Sequence, residues 1–272
     1  MANKYFSRYL SVAPFSLSLW RAMEAQKIAE ALNKVSKIST KNEILQLPKP
    51  ALDLGCGFGE FAGVFFDRQV EVGIDISIED LVKAKKVNKH KNLFIADARK
   101  LPFPDNTFST IISVSVLEHI QRVQLALKEA FRVLKPGGLF ILTIPTEELN
   151  NNLFYPEIFR KIGWKQARSF YLQKYHKVFK HVNILPPKSW QSMLTKCGFN
   201  IIYYQGTFSR ALTQIFDITL ISALPSQISR WLFGDRWIWG LSIKERILSR
   251  LFDRLLREDK QTESNVLIIA KK

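Results

Sequence analysis

Leu52-Asp53-Leu54-Gly55-Cys56-Gly57-Phe58-Gly59 is the stretch that decides the fold. A short strand over Ala51–Leu54 runs into three glycines spaced G-x-G-x-G. A strand that turns sharply into a helix needs residues without a Cβ where its backbone approaches a ligand. The helix beyond offers unpaired N–H groups to acceptor atoms on that ligand. A dinucleotide fingerprint wants its third glycine one position later, where this chain has Glu60. Asp53 and Glu60 would also repel a pyrophosphate. The turn therefore suits a ligand without phosphates that carries a positive group.

Outward from the turn, strands and helices alternate. Val70–Asp75, Asn92–Ala96, Phe108–Val114 and Leu139–Ile144 read as strands. Phe61–Phe66, Ile78–Val87 and Arg122–Leu134 read as helices, the last stopped by Lys135-Pro136-Gly137-Gly138. Five strands with helices between them predict a parallel, doubly wound α/β sheet. Asp75 ends the second strand, where a carboxylate can accept from both hydroxyls of a ribose. Asp97-Ala98 ends the third, where a carboxylate can accept from an exocyclic amine such as that of adenine. All lie at carboxyl ends of neighbouring strands, the ligand-binding edge of open parallel sheets.

LDLGCGFGEF, VGIDIS, IADARKLPFPDNTFS, SVLEHI and RVLKPGG, in this order and spacing, resemble the class I S-adenosylmethionine-dependent methyltransferases, and within them the type-11 methyltransferase-domain family. The resemblance is close over 48–146, weaker over 181–204, where SWQSMLTKCGF looks like the helix and strand that close such domains, and weakest over 205–262. It implies a Rossmann-like sheet of seven strands, the last antiparallel. It implies S-adenosyl-L-methionine as cofactor, with Asp53, Gly55, Gly57 and Gly59 at its methionine end. Asp75 would bind the ribose, Ile76 would pack on the adenine, Asp97 and Ala98 would contact the adenine edge, and Val114 would sit near the methionine moiety. Methyl transfer would be an in-line displacement. Catalytic candidates are His119, as general base, and Glu118. Relatives that methylate quinone-precursor hydroxyls bind a divalent metal through a Glu-x-x-Glu-His segment; Ser115 stands at its first position here, so no metal site is expected.

The rest of the chain divides around that core. Residues 1–47 form an N-terminal helical cap, with a helix from Pro14 to about Val35. Residues 147–190 form an aromatic, basic lid insertion. Residues 191–272 complete the sheet with strands near 199–204 and 265–270, separated by an amphipathic helical insertion over 207–258. Lys and Arg number 40 against 24 Asp and Glu, a net charge of +16. Residues 1–150 contribute +4 of this and residues 151–272 contribute +12. Residues 151–210 hold ten basic residues, one acid (Glu157) and thirteen aromatics. Such a segment fits an aromatic-lined lid over a large apolar or anionic acceptor, and equally an ordinary lid that is aromatic because it packs and basic because its outer face is solvated; the expected methyl acceptor is a small or lipid-like molecule. His176 and His181, flanked by lysines, read as surface or lid residues.

Residues 241–257 read as a basic amphipathic helix, which can lie in a membrane interface or pack on its own domain. Peripheral membrane contact follows as an expectation, and so does a cytoplasmic location. Two cysteines cannot build a disulfide framework, Arg8 and serines break any leader-like apolar run, and no apolar run reaches the roughly 18 residues of a spanning helix. The rival readings are an RNA or other nucleic-acid methyltransferase and a non-catalytic interaction subunit of the same fold. The segment Val114-Ser115-Val116-Leu117 lacks the Asn/Asp-Pro-Pro-aromatic clamp of nucleic-acid amino-methylating enzymes, which argues against the first. Intact motif residues argue against loss of the cofactor. Oligomeric state is not legible.

Overall fold

β1 (Ala51–Leu54) has no exposed residue, as a central strand covered on both faces requires. In the computed structural model, which describes residues 4–36, 47–220 and 260–272, it pairs in parallel with β2 (Val70–Asp75) and β4 (Phe108–Val114). β3 (His90–Ile95) pairs with β2, and β5 (Leu134–Pro145) with β4, both in parallel. β7 (Gln261–Lys271) enters antiparallel beside β5 and pairs on its other side with β6 (Asn200–Ser209). The sheet has seven strands in the order β3-β2-β1-β4-β5-β7-β6.

Helices cover both faces. α1 (Lys4–Leu10), α2 (Phe15–Ser36) and α3 (Glu60–Phe65) pack on one face in an apolar cluster that includes Trp20, Met23, Phe65, Ile112 and Ile141. α5 (Val123–Val133) buries Val123, Ala126, Leu127, Ala130 and Val133 on the other. That i, i+3, i+4, i+7 spacing forms one face of a 3.6-residue helix. α4 (Ile78–Val87) follows β2, capped by the Ser77 hydroxyl, which accepts from the Asp80 N–H.

Several elements differ from their sequence reading. The N-terminal segment holds an additional helix, α1, whose Tyr5, Phe6 and Tyr9 are buried. β5 begins at Leu134, not Leu139: Phe108 pairs with Leu134 and Thr110 with Leu139, so Lys135-Pro136-Gly137-Gly138 bulges out of a continuous strand. β3 starts two residues earlier than expected, because His90 is a buried member of the ladder. The lid, poor in strand pattern, is helical: α6 (Leu149–Asn152), α7 (Phe154–Lys161) and α8 (Lys165–Val178), followed by α9 (Pro187–Lys196).

β6 runs to Ser209, and α10 (Arg210–Thr219) then returns over the lid. Buried Asp217 on α10 accepts from the Tyr155 N–H at 3.1 Å and from the Tyr171 hydroxyl, fastening lid to core. The expected helix over 241–257 lies outside the described residues. Among the described residues no helix is long and apolar enough to cross a membrane.

Candidate active site

The carboxyl ends of β1, β2 and β4 and the residues just beyond β3 surround a cavity of about 650 Å³. Gly55, Gly57, Asp75, Ile76, Asp97, Ala98 and Val114 all line it. These residues are scattered over sixty positions and meet because parallel strands end in register.

The glycine turn is built for a close approach. Gly55, Gly57 and Gly59 have φ of +78°, +52° and +80°, in the left-handed region that side chains disfavour. A Cβ at Gly57 would meet no protein atom within 4 Å, so it would project into the cavity itself. The Asp75 carboxylate fixes the turn: Oδ2 accepts from the Gly57 N–H at 2.8 Å and Oδ1 from the Ser77 N–H at 3.0 Å. A carboxylate offers about four acceptor positions, so two remain for a pair of ribose hydroxyls. Ile76 is 70% exposed beside it, an apolar plate for a planar base.

Asp97 and Asp53 are already engaged. Asp97 accepts from Arg99 Nε at 3.0 Å and Nη2 at 2.7 Å and from the Arg99 N–H at 2.9 Å. That guanidinium holds the carboxyl below its usual value, so it stays an acceptor. Asp53 is buried and does not line the cavity: its Oδ2 lies 2.8 Å from His90 Nε2. The contact spans β2 at Gly73, where a Cβ would stand 2.6 Å from His90 Cδ2. Gly59 also lies outside the lining; it heads α3 and packs on Ala84. Burial pushes the Cys56 thiol up, so it is a packing group and not a thiolate.

A second cavity of about 960 Å³ adjoins the first. Arg21, Phe58, Ser115, His119 and Lys180 border both. Its apolar wall is Leu17 and Trp20 from α2, Leu149, Tyr175 and Phe179 from the lid, and Phe216 from α10. Most of these come from elements outside the sequence motifs of the core, so motif reading does not reach them.

Glu118 and His119 sit in a short 3₁₀ turn, Leu117–His119, at the seam. Lys180 O is 3.0 Å from His119 Nδ1 and can only accept, so Nδ1 carries the proton. Nε2 then presents its lone pair, 3.7 Å from Glu118 Oε1. Burial lowers the His119 pKa, which keeps the ring neutral. Glu118 is 1% exposed with no partner on Oε2, and burial, helped by the charge of Glu24, pushes its carboxyl up to about 8. Both groups are therefore neutral near pH 7.

Between the ordinary 4.5 and about 8 an unfolded chain releases the Glu118 proton while the folded chain keeps it. Stability should fall as pH rises through that window and level off above it. Glu118→Gln cannot ionise and should flatten the fall, gaining up to about 5 kcal/mol on the wild type at alkaline pH. Thermal unfolding across pH 4–9 reads this (about five points suffice); parallel curves for the two proteins would mean Glu118 is ionised when folded.

His176 and His181 are half-buried and grouped with His119. His181 stacks on His119 with centroids 5.5 Å apart, and its Nδ1 lies 3.0 Å from His176 Nδ1. Burial pushes His181 down to about 3. Among the described residues no group of three or more His, Cys, Asp or Glu is placed to hold a metal.

Arg21, which lines both cavities, and Glu24, buried behind it, have no counterpart in the sequence reading. Glu24 is fully buried on α2; Oε1 accepts from Ser115 Oγ at 2.7 Å, Thr143 Oγ1 at 2.7 Å and Asn265 Nδ2 at 3.0 Å, and Oε2 from Arg21 at 2.9 Å. It ties α2 to the loop after β4, to β5 and to β7. The signal was a Glu on the apolar stripe Leu17, Trp20, Glu24, Ile28.

A family described as "Methyltransferase domain" matches residues 52–142. An uncharacterised protein of Methanocaldococcus jannaschii is 30% identical over 70% of this chain and 87% of its own length. The ubiquinone/menaquinone biosynthesis C-methyltransferase of Rickettsia bellii is 29% identical over 60% of this chain and 73% of its own. The chain spans about half the length of some other curated relatives it matches. A solved structure from Galdieria sulphuraria, described as a sarcosine dimethylglycine methyltransferase, superposes with a TM-score of 0.56 over 91% of this chain and 84% of that one, at 16% identity, and shows the same fold.

Proposed function

We propose that this chain, which belongs to the class I S-adenosylmethionine-dependent methyltransferases, transfers a methyl group to a small-molecule or lipid-like acceptor held in the second cavity. The observation that carries the reading is the seam: a cavity fitted to a nucleoside opens directly onto a larger one walled by Trp20, Tyr175, Phe179 and Phe216. A pocket of that size and lining suits a ligand with substantial apolar bulk.

The residues present fit S-adenosyl-L-methionine. Asp75 supplies paired acceptors for ribose hydroxyls, Ile76 an apolar plate, Asp97 and Ala98 an edge for the adenine, and Gly55 and Gly57 open backbone beside Val114 for the methionine portion. The lining is of mixed charge, with Glu60, Asp75, Asp80 and Asp97 against Arg21, Arg99 and Lys180, so it carries acidic groups for a cationic ligand to meet. The bound cofactor would supply an electrophilic methyl carbon. The chain's own contribution is positioning, worth up to roughly 7–11 kcal/mol when nucleophile and methyl are held in line. Trp20, Phe179 and Phe216 exclude water from the acceptor side. For an acceptor that must lose a proton, His119 Nε2 is the neutral base at the seam, and Asp53 and Gly59 act from behind, by packing.

Transfer from methyl-labelled cofactor tests the reading. With a total lipid extract and with total RNA offered side by side, label should enter the organic-soluble fraction. Label in RNA instead, or none despite a bound cofactor, would favour the nucleic-acid or the non-catalytic reading.

A further inference from the structure

We propose that the outer face of the lid, built by α7 and α8, is a docking surface for an anionic lipid bilayer. Large apolar side chains stand exposed on it: Ile162 is 64% exposed, Trp164 56% and Phe170 61%. Apolar groups gathered on one face and rimmed by polar residues mark interaction sites. They lie among cations. Between 151 and 182 the chain carries seven Lys and Arg and a single acid, Glu157. That acid is buried and consumed, accepting from Gln214 at 2.6 Å, from Lys161 at 3.0 Å and from Arg210. The face is therefore positive without an acidic counterweight.

The helix phase sorts the two roles of α8. Phe170, Lys174 and Lys177, spaced i, i+4, i+7, are all exposed, and Lys174 Nζ sits 5.3 Å from the Phe170 ring centroid. Tyr171 and Tyr175 point the other way, into the apolar cluster, and Tyr175 lines the second cavity. A helix with rings and lysines on one face suits the bilayer interface, where rings enter the headgroup boundary and ammonium groups meet anionic phosphates. Val178, 73% exposed, borders the second cavity at the end of the same helix. A docked lid would thus bring that cavity's edge to the lipid surface. Docking goes beyond the proposed methyl transfer; only its purpose rests on that reading.

The test is co-sedimentation of the full chain with vesicles of phosphatidylcholine containing about one-third phosphatidylglycerol, against pure phosphatidylcholine, over a salt series. Binding should require the anionic lipid and weaken with salt. Trp164→Ser with Phe170→Ser, and separately Lys174→Glu with Lys177→Glu, should each raise the lipid concentration for half-binding by about tenfold or more. All four side chains are exposed or on the exposed face, so folding should survive, and S-adenosylhomocysteine binding on the same samples should be unchanged. No binding to anionic vesicles at low salt, or equal binding by both variants, overturns the lid surface. Loss of cofactor binding in the wild type would instead overturn the methyl-transfer reading and leave the docking result standing.

Discussion

Asp75→Ala should weaken S-adenosylhomocysteine binding by at least about 100-fold. The Asp75 carboxylate holds the Gly57 and Ser77 N–H groups and faces the cavity with its remaining acceptor positions. Each hydrogen bond to a charged group contributes about 1.5–3 kcal/mol, and each 1.4 kcal/mol is tenfold in affinity. Two ribose contacts alone account for the expected loss, and release of the glycine turn adds to it. Asp75→Asn keeps one acceptor oxygen and should fall between. Titration calorimetry reads all three proteins, with thermal unfolding as control, since Asp75 is only half-buried and the fold should hold. Affinity within about threefold of wild type in the alanine variant would place the ribose elsewhere.

Glu24→Ala should produce the largest loss of stability. It takes the shared acceptor from the buried hydroxyl of Thr143, the buried amide of Asn265 and the half-buried hydroxyl of Ser115, and the carboxylate from Arg21, whose guanidinium keeps the Val114 carbonyl and is 31% exposed. Orphaning a buried polar group costs about 1–3 kcal/mol, and the ion pair adds less than a fully buried one because Arg21 reaches solvent; these are not additive, so about 3 kcal/mol is expected. Urea unfolding gives the value directly. Because Ser115 borders both cavities and holds φ at +51°, cofactor affinity should also drop in protein that remains folded. A loss under about 1 kcal/mol would mean that α2 is held by its apolar stripe alone.

The contrast between these two residues shows what the sequence made legible. Asp75 stands at the end of a β-branched run with a fixed offset from the glycine turn, and β2, β4 and α4 have the bounds their periodicity predicts. Local pattern carries that information. Glu24 is bonded to residues 91, 119 and 241 positions away, a relation no local pattern encodes. The same holds for Asp53, whose partner His90 reaches across β2 only because residue 73 is glycine. The aromatic, basic composition of residues 151–210 is plain in the sequence, but the grouping of His119 with His176 and His181 depends on how α8 folds back over the seam. Among the described residues, the positive charge of the second half includes Lys161 and Arg210, which neutralise buried Glu157, and the lysines of α8 that face outward.

The most direct test of the account is a crystal structure of the full chain with S-adenosylhomocysteine. The prediction is a ribose with both hydroxyls on the Asp75 carboxylate, an adenine against Ile76 beside Asp97, and a sulfur at the seam, facing the cavity walled by Trp20, Tyr175 and Phe216. A ligand bound away from Asp75, or one whose sulfur faces solvent or is closed off from that second cavity, would contradict it.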